Sequence, residues 1–312
     1  MLISAIGTKR AVRVLLAAAT AGVLSVVGVA ASAASPLSAS AASAVGGDRQ
    51  TAANKAMVVY FYDQLWNHDN LAVIDEFVRP DYIQHDPHSP NGPEPLRQLL
   101  TKLWAANPDM HTHIDRVAAE GDLVLLYSDG TAAPGAKTQA VVDIFRVQDG
   151  KIAEHWDVIQ DAPDSTASGN DMFSTLSSPR LPGPDPRVST AASKRVVSAL
   201  VSEVTTGRDV TAFDRYVAGP YSQHDPQTPN GTTAAKEFFT STFAAHPDFS
   251  VGVKRVIAEG DYVAVHSNYK FAADDRGFAV FDLFRVRHGK VVEHWDAVQP
   301  VPATSANDNT MF

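Results

Sequence analysis

Hydrophobic positions recur at helical spacing in three stretches of the first half of the chain. Residues 49–66 place apolar and aromatic side chains on one face of a predicted long helix. Residues 70–78 predict a short second helix that ends before Pro80, and residues 93–105 predict a third. The first half therefore begins with helices.

Strand patterns follow these helices. The segments rich in β-branched and aromatic residues are 111–119, 122–130, 138–147 and 151–160. Glu-Gly-Asp and Asp-Gly turns separate them, so consecutive strands are expected to be antiparallel. Helices that precede such a sheet predict an α+β fold.

The same pattern occurs a second time. Gln84-His85-Asp86-Pro87 recurs as Gln223-His224-Asp225-Pro226, and Glu154-His155-Trp156-Asp157 recurs as Glu293-His294-Trp295-Asp296, both at a spacing of 139 residues. This period is too long for a solenoid unit, so it indicates a duplicated domain. We predict domains at 48–173 and 190–312, joined by a Pro-rich linker at 174–189.

The N-terminus has the pattern of a secretory signal peptide. Three basic residues precede an apolar, alanine-rich run and a stretch of small residues, so we assign 1–44 to a leader and expect a secreted or extracytoplasmic protein. The alternative is a retained N-terminal anchor, because the apolar run approaches the length of a membrane span. After cleavage, no membrane association is expected.

Charge and composition exclude several classes of function. The net charge is −9, and removal of the leader takes it to about −12, which disfavours nucleic acid and anionic lipid as partners. The chain contains no cysteine, so thiol catalysis, thiolate metal sites and disulfides are excluded.

The last hairpin of each copy determines which polar residues share a face. A two-residue turn at Asp149-Gly150 would place Asp143 opposite Trp156, whereas a three-residue loop would place Asp143 opposite His155. We expect the three-residue loop. The expected inner face then contains Asp143, Phe145, Ala153, His155 and Asp157, and the other face contains Ile144, Arg146, Ile152, Glu154 and Trp156.

Taken together, these motifs resemble the SnoaL-like family of the nuclear transport factor 2-like superfamily. The resemblance covers both copies and implies two tandem cone-shaped domains, each a curved antiparallel sheet wrapped around a long helix, with a pocket at the mouth. Family members commonly dimerise through the sheet, so an intramolecular pseudo-dimer is expected, and further oligomerisation is left open. Characterised relatives include polyketide cyclases that catalyse aldol condensation without metal or cofactor, so no cofactor is expected here.

The resemblance also implies an acid/base residue. The aspartate that serves this role in the cyclases matches Asp157 and Asp296. The cyclases carry a histidine on the neighbouring strand, where this chain has Asp143 and Asp282. This departure makes a cyclase activity doubtful without affecting the expected fold.

The candidate catalytic residues combine carboxylates with histidines. Two neighbouring carboxylates raise one another's pKa, and a carboxylate with a raised pKa is a competent general base beside a carbonyl. A protonated histidine alongside would stabilise a developing enolate. The alternative is a structural network in which a buried histidine bridges two acids. The candidates are Asp143, His155 and Asp157 in the first copy and Asp282, His294 and Asp296 in the second.

A second pair of histidines, His85 and His224, is predicted to lie where a helix gives way to a loop. In a functional role they hydrogen-bond a substrate oxygen or pair with the acid/base aspartate. The alternative is that they pack beside an Asx turn. A metal site at His85, Asp86 and His88 is not expected, because Gln227 replaces His88 in the second copy.

The candidate substrate-binding residues are aromatic. They are Tyr60, Phe61, Trp66, Tyr82, Phe145, Tyr221 and Phe284. Since Ala199, Leu200 and Thr205 replace the first three in the second copy, we expect an aromatic-lined pocket in the first copy and a wider aliphatic one in the second.

The sequence thus leads to two main hypotheses. The first is cofactor-free acid/base catalysis (aldol condensation, isomerisation or dehydration) on a small hydrophobic or carbonyl compound. The alternative is a module that binds such a small-molecule ligand without turnover, because one fold hosts both functions. A purely structural role is the third.

Overall fold

The computed structural model describes residues 36–131, 137–176 and 183–312, with side chains from Gly47 onward. Most of the predicted leader and the centre of the predicted linker lie outside the described residues. Within the described chain, no helix has the length and apolar character that a membrane span requires.

Each domain consists of three helices and five strands. The first contains α1 (Pro36–Asn67), α2 (Ala72–Phe77), β1 (Val78–Gln84), α3 (Pro93–Ala106), β2 (His111–Glu120), β3 (Leu123–Thr131), β4 (Thr138–Gln148) and β5 (Lys151–Asp161). The second contains α4 (Thr190–Thr205), α5 (Ala212–Tyr216), β6 (Val217–Gln223), α6 (Thr233–Ala245), β7 (Ser250–Glu259), β8 (Tyr262–Lys270), β9 (Phe278–Arg287) and β10 (Lys290–Pro300). The expected α+β architecture, two tandem domains with helices preceding a sheet, is confirmed.

Each sheet has one strand that the hydrophobic pattern missed. The strand order is β1-β5-β4-β3-β2 in the first domain and β6-β10-β9-β8-β7 in the second, and the edge strands β1 and β6 run parallel to β5 and β10. Pro80 lies within β1, a position that an edge strand tolerates because one side of the strand needs no backbone donor. The first helix also begins earlier than expected, at Pro36, in an alanine-rich segment with high helix propensity.

The inner face of each sheet packs against its helices. In the first domain Val58, Phe61 and Leu65 of α1 contact Val124 and Phe145 of the sheet in one buried cluster. In the second, α4 contributes Val197, Leu200 and Val204 to the equivalent cluster. This layer of helix and sheet encloses the polar residues described below.

The outer faces of the two sheets contact each other. Trp156 and Trp295 are fully buried in one cluster that draws on both domains. The guanidinium of Arg116 lies 4.1 Å from the ring of Trp295, and that of Arg255 lies 3.6 Å from the ring of Trp156. Contacts that occur in such reciprocal pairs have the form of an isologous interface. That the two domains form a stable intramolecular pseudo-dimer in solution stays a prediction.

Candidate active site

Strands β4 and β5 place the candidate acids directly opposite each other. Asp143 pairs with Asp157, and Phe145 pairs with His155. Neither of the two registers considered from the sequence is correct. The turn has two residues, Asp149 (φ 53°) and Gly150 (φ 73°), but a bulge at Ala153 then shifts the pairing by one position.

This bulge also changes the membership of the inner face. Ile152 pairs with Val147 and packs in the inner cluster with Phe145, so its assignment to the outer face was wrong. Asp143, His155 and Asp157 remain together on the inner side, as expected, and all three are buried. The second domain repeats this arrangement, with Asp282 opposite Asp296 and the bulge at Val292.

His155 is held between two oxygen acceptors. Its Nε2 lies 2.8 Å from Asp143 Oδ1 and its Nδ1 lies 2.8 Å from Gln84 Oε1. The backbone N–H of Asp86 donates to the same oxygen of Gln84, which fixes the orientation of the amide. Since both partners accept, both ring nitrogens donate, and the ring is an imidazolium paired with the Asp143 carboxylate.

The electrostatics of His155 agree with this assignment. Burial alone would lower the pKa of the ring, but the hydrogen bond and the negative charge of Asp143 outweigh it and raise the pKa. Asp157 and Asp86 contribute in the same direction. His155 is therefore a fixed positive charge within the site.

Asp157 has spare hydrogen-bonding capacity. Its Oδ1 is buried and has no hydrogen-bond partner among the described residues. Burial raises the pKa of Asp157 well above its ordinary value, the charges of Asp86 and Asp143 add to the rise, and His155 opposes it. A buried carboxyl with a raised pKa and a free oxygen is suited to exchange a proton with a bound molecule.

Two buried tyrosines complete the polar lining of the first site. Tyr82 OH accepts from Gln84 Nε2 at 3.1 Å, so the hydrogen of its own hydroxyl is available for donation. Tyr62 OH lies 2.9 Å from Ser128 Oγ. Burial raises the pKa of both phenols, mainly by desolvation, so both remain protonated at neutral pH.

The other aromatic candidates of the first domain divide into two groups. Phe61 and Phe145 are buried with their ring centroids 6.2 Å apart, and Trp66 packs beside Tyr62. Tyr60 was placed wrongly in the pocket, because its side chain is 44 % exposed and its ring packs against Phe77. Whether the remaining aromatics bind a substrate stays a prediction.

The second site has the same core with a different phenol. His294 Nε2 lies 3.0 Å from Asp282 Oδ1 and its Nδ1 lies 2.7 Å from Gln223 Oε1. Burial raises the pKa of Asp296, as it does that of Asp157, and Asp296 Oδ1 also lacks a hydrogen-bond partner within the described chain. In addition, Tyr269 OH donates to Asp282 Oδ2 at 3.3 Å.

The second domain also contains many aromatic residues, and the aliphatic lining expected for its pocket stays a prediction. Phe239 contacts the rings of α5 and α6 and that of Phe249, which precedes β7, in a continuous aromatic cluster. Its members include Phe213, Phe238, Phe239, Phe243, Phe249, Tyr269, Phe271 and Phe278. Tyr221 and Phe284 pack beside His294 with ring centroids 6.5 and 4.8 Å away.

His85 and His224 do not join these sites. His85 follows strand β1, not a helix, and its ring stacks on Trp156 with centroids 4.8 Å apart. Its Nε2 lies 2.9 Å from Glu154 Oε1, and its Nδ1 donates to the carbonyl of Thr310, in the segment after β10 of the second domain. Successive residues of a strand point to opposite faces, so Gln84 faces inward and His85 faces the domain interface.

The residues that the sequence analysis missed are therefore Gln84, Gln223 and the phenol Tyr269. The glutamines were visible, because each belongs to a motif that both copies contain. Their role depends on β1 and β6 lying beside β5 and β10, a parallel pairing that local pattern does not reveal.

The trio of Asp143, His155 and Asp157 could be considered as a metal site, since one oxygen or nitrogen of each lies within 4.8 Å of the others. The hydrogen bonds argue against this. Both ring nitrogens of His155 carry protons that are donated to oxygen acceptors, and a metal would require a free nitrogen lone pair. The ion pair of His88 with Asp86 is likewise explained without a metal.

Two surface cavities lie away from these sites. One of 370 Å³ is lined by residues of β4 and of the segment after β5, including Asp164 and Phe173. Another of 650 Å³ is lined by α6, including Phe238. Neither is lined by the buried Asp–His groups.

Family models match both halves of the chain. A model described as SnoaL-like polyketide cyclase matches residues 56–164, and one described as SnoaL-like domain matches residues 197–294. The chain belongs to the SnoaL-like family. The resemblance inferred from the motifs is thereby confirmed for both copies.

Solved structures match one domain at a time. A loop truncation variant of IdmH from Streptomyces antibioticus is 24 % identical, with a TM-score of 0.32, and the match covers 34 % of this chain and 92 % of that one. TsrD from Streptomyces laurentii is 22 % identical, with a TM-score of 0.30, and the match covers 35 % of this chain and 89 % of TsrD. An NTF2-like protein of unknown function from Mesorhizobium loti is 20 % identical, with a TM-score of 0.31, and the match covers 37 % of this chain and 96 % of that protein. No curated protein matches the chain.

Proposed function

We propose that this tandem SnoaL-like protein binds a small carbonyl compound and transfers protons to and from the carbon next to the carbonyl, without a cofactor. The observation that carries the proposal is the buried Asp157 carboxyl, whose Oδ1 has no hydrogen-bond partner in the described chain and whose pKa is raised. Coarser support comes from the family, whose matching model is described as a polyketide cyclase.

We propose a different role for each of the polar groups. As a carboxylate, Asp157 removes the proton from the α-carbon. Tyr82 donates its free hydroxyl hydrogen to the developing enolate oxygen, because its oxygen already accepts from Gln84. His155 cannot donate to the substrate while both of its nitrogens are bound, so it contributes a fixed positive charge that favours the anionic states around it.

The hydrogen bonds favour the first domain as the more active site. There, Asp143 Oδ2 is buried and makes no hydrogen bond of ordinary geometry within the described residues, although the Tyr62 hydroxyl lies near enough to Asp143 to interact with it; the equivalent oxygen of Asp282 accepts from Tyr269 at 3.3 Å. A site with more unsatisfied polar atoms has more to gain from a bound polar ligand. The site of the second domain would then bind the ligand more weakly, or its polar groups would contribute to the stability of the fold instead.

Exchange of α-protons in heavy water tests this proposal without knowledge of the natural substrate. With acetophenone as the probe, we expect the wild-type chain to accelerate deuterium incorporation into the methyl group, as observed by NMR. Asp157→Asn should remove most of the acceleration, by about 100-fold or more, and leave acetophenone binding intact. Asp161→Asn, which changes an exposed acid on the same strand, is the matched control.

The pH dependence gives a second criterion. Because the base must be ionised, the exchange rate should rise with pH through an apparent pKa above the ordinary aspartate value of about 3.9. Binding of the ketone without any acceleration would instead support the ligand-binding module. Equal acceleration by Asp157→Asn and the wild type would refute the catalytic role of this residue.

We also propose that the protein is exported. The support is the basic, apolar and small-residue order of the N-terminal segment. Fractionation of expressing cells tests it, because export predicts a shortened chain outside the cytoplasm, and a full-length chain in the membrane fraction would indicate a retained anchor.

A further inference from the structure

Three metal-ligating side chains of the first domain meet on strands β2 and β3, away from the candidate active site. His113 on β2 lies directly opposite Asp129 on β3. Asp115 is the extra residue of a bulge between Ile114 and Arg116. A bulge redirects a side chain, and here it brings the Asp115 carboxylate to the other two groups.

The spacing of these atoms is longer than in ordinary charged hydrogen bonds and is suitable for metal ligands. His113 Nδ1 lies 3.4 Å from Asp115 Oδ1 and 3.6 Å from Asp129 Oδ1. Hydrogen bonds between such groups are shorter, at about 2.7–2.9 Å. Ligands at about 2.0–2.1 Å from a tetrahedral zinc ion are about 3.3 Å apart, close to the distances found here.

The carboxylates are also short of partners. Asp115 Oδ2 and Asp129 Oδ1 are buried atoms without a hydrogen-bond partner among the described residues. The guanidinium of Arg116 is directed elsewhere, to the carbonyls of Phe173 and Ser174. Among the described residues, both carboxylates therefore have an oxygen atom without a hydrogen-bond partner, and His113 is the cationic group that approaches them most directly.

The second domain provides an internal comparison. Its equivalent positions are Gly252, Lys254 and Asn268, which remove the imidazole and both carboxylates. The ammonium of Lys254 lies 3.9 Å from the position that a Cβ at Gly252 would occupy. In the second domain the positively charged Lys254 side chain thus occupies the region that corresponds to the His113 side chain.

We propose that His113, Asp115 and Asp129 form a binding site for one divalent transition-metal ion, with zinc as the best match to a ligand set of one imidazole and two carboxylates. The side chain of His113 is 73 % exposed, so the ion can enter from solvent and water can complete its coordination. The site would connect β2 to β3 in the first domain alone. It does not depend on the proposed catalytic function.

Calorimetric titration of the full chain with zinc, after removal of bound metal by a chelator, tests the proposal. We expect one ion to bind per chain. Asp129→Asn, which introduces the residue found at the equivalent position of the second domain, should weaken binding by about 100-fold. His68→Ala is the matched control, since His68 is an exposed histidine 3.2 Å from a single carboxylate, that of Asp63, and its loss should leave zinc affinity unchanged.

A second measurement separates a lost ligand from a misfolded domain. Without metal, Asp129→Asn should unfold at the same or a higher temperature than the wild type, because it relieves repulsion with Asp115. Zinc should then raise the unfolding temperature of the wild type and not that of the variant. Absence of stoichiometric zinc binding by the wild type, or equal affinity of the wild type and Asp129→Asn, would overturn the proposal.

Discussion

At the scale of single residues, one four-residue motif serves two different purposes. His155 and Asp157 point to the inner face of the sheet, where they form the candidate site. Glu154 and Trp156 point to the outer face, where Glu154 binds His85 and Trp156 stacks with it. Retention of the whole motif in both copies therefore reflects the interface as much as the site.

The raised pKa of Asp157 predicts how the Asp157→Asn substitution affects stability. A carboxyl with a pKa above its unfolded value favours the folded state most at low pH, and this contribution is lost as the pH rises through the folded-state pKa. Asparagine does not ionise, so the variant does not lose this stability as the pH rises. We expect the variant to be more stable than the wild type at neutral pH, by on the order of 1 kcal/mol or more.

Urea unfolding followed by tryptophan fluorescence at several pH values checks this, and the difference should disappear near pH 4. Asp161→Asn, at an exposed position, should follow the wild type across the whole range. A variant less stable than the wild type at neutral pH would favour the purely structural network.

Gln84 should control the protonation of His155. Gln84→Met keeps the size of the side chain but removes the acceptor for Nδ1, so the pKa of His155 should fall relative to the wild type. Titration of the histidine ring by NMR measures the change. Gln98→Met, on the exposed side of α3, is the control. An unchanged His155 titration in Gln84→Met would contradict the proposal that the Gln84 oxygen holds the proton on Nδ1 of His155.

At the scale of elements, the hairpin between β4 and β5 determines which residues meet. The two-residue turn alone would pair Asp143 with Trp156, and the bulge at Ala153 moves Asp157 into that position. A shift of one residue turns every later side chain to the opposite face. The candidate site thus depends on a turn and a bulge that both occur again in the second domain.

Gly150 tests the contribution of the turn. Its φ of 73° lies in the left-handed region, and a Cβ there would meet no atom within 4 Å, so the cost of a side chain arises from the backbone alone. We expect Gly150→Ala to lower the free energy of unfolding by about 1 kcal/mol, as measured by urea denaturation.

Gly219→Ala is the matched control, because that glycine is exposed, equally unobstructed and outside the left-handed region. Equal stability of Gly150→Ala and the wild type would show that the turn is not under this constraint.

At the scale of the whole molecule, each domain is completed by the C-terminal segment of the other domain, after that domain's last strand. Asn309 donates to the carbonyl of Gln84, and Asn170 donates to the carbonyl of Gln223. Met172 and Met311 are both buried in the cluster between the sheets. The retained tail residues of the two copies therefore serve the contact between domains.

This arrangement predicts that the halves stay together when the chain is cut. We expect a chain with a protease site between Leu176 and Gly183 to elute as one species in size-exclusion chromatography after cleavage, because separation would expose Trp156 and Trp295. Arg116→Ala, which removes the guanidinium above Trp295, should weaken the association. Separate elution of the two wild-type fragments would contradict the predicted pseudo-dimer.

The sequence by itself determined the duplication, the α+β class, the family and the inward acid–histidine group. These follow from local information: the spacing of repeated motifs, hydrophobic periods, and alternation along a strand that keeps His155 and Asp157 on one face. The same local information could not place His85, because its neighbours Glu154 and Thr310 lie 69 and 225 residues away in the chain.

Only the tertiary structure decided the register of Asp143 with Asp157, the hydrogen bond between His155 and Gln84, and the approach of Asp115 to His113. Each depends on a bulge or on a parallel edge strand, features that arise from how strands pair over long separations and not from the residues at the pairing site. The aromatic cluster of the second domain was missed for the same reason, since its rings come from helices and strands whose packing no single segment encodes.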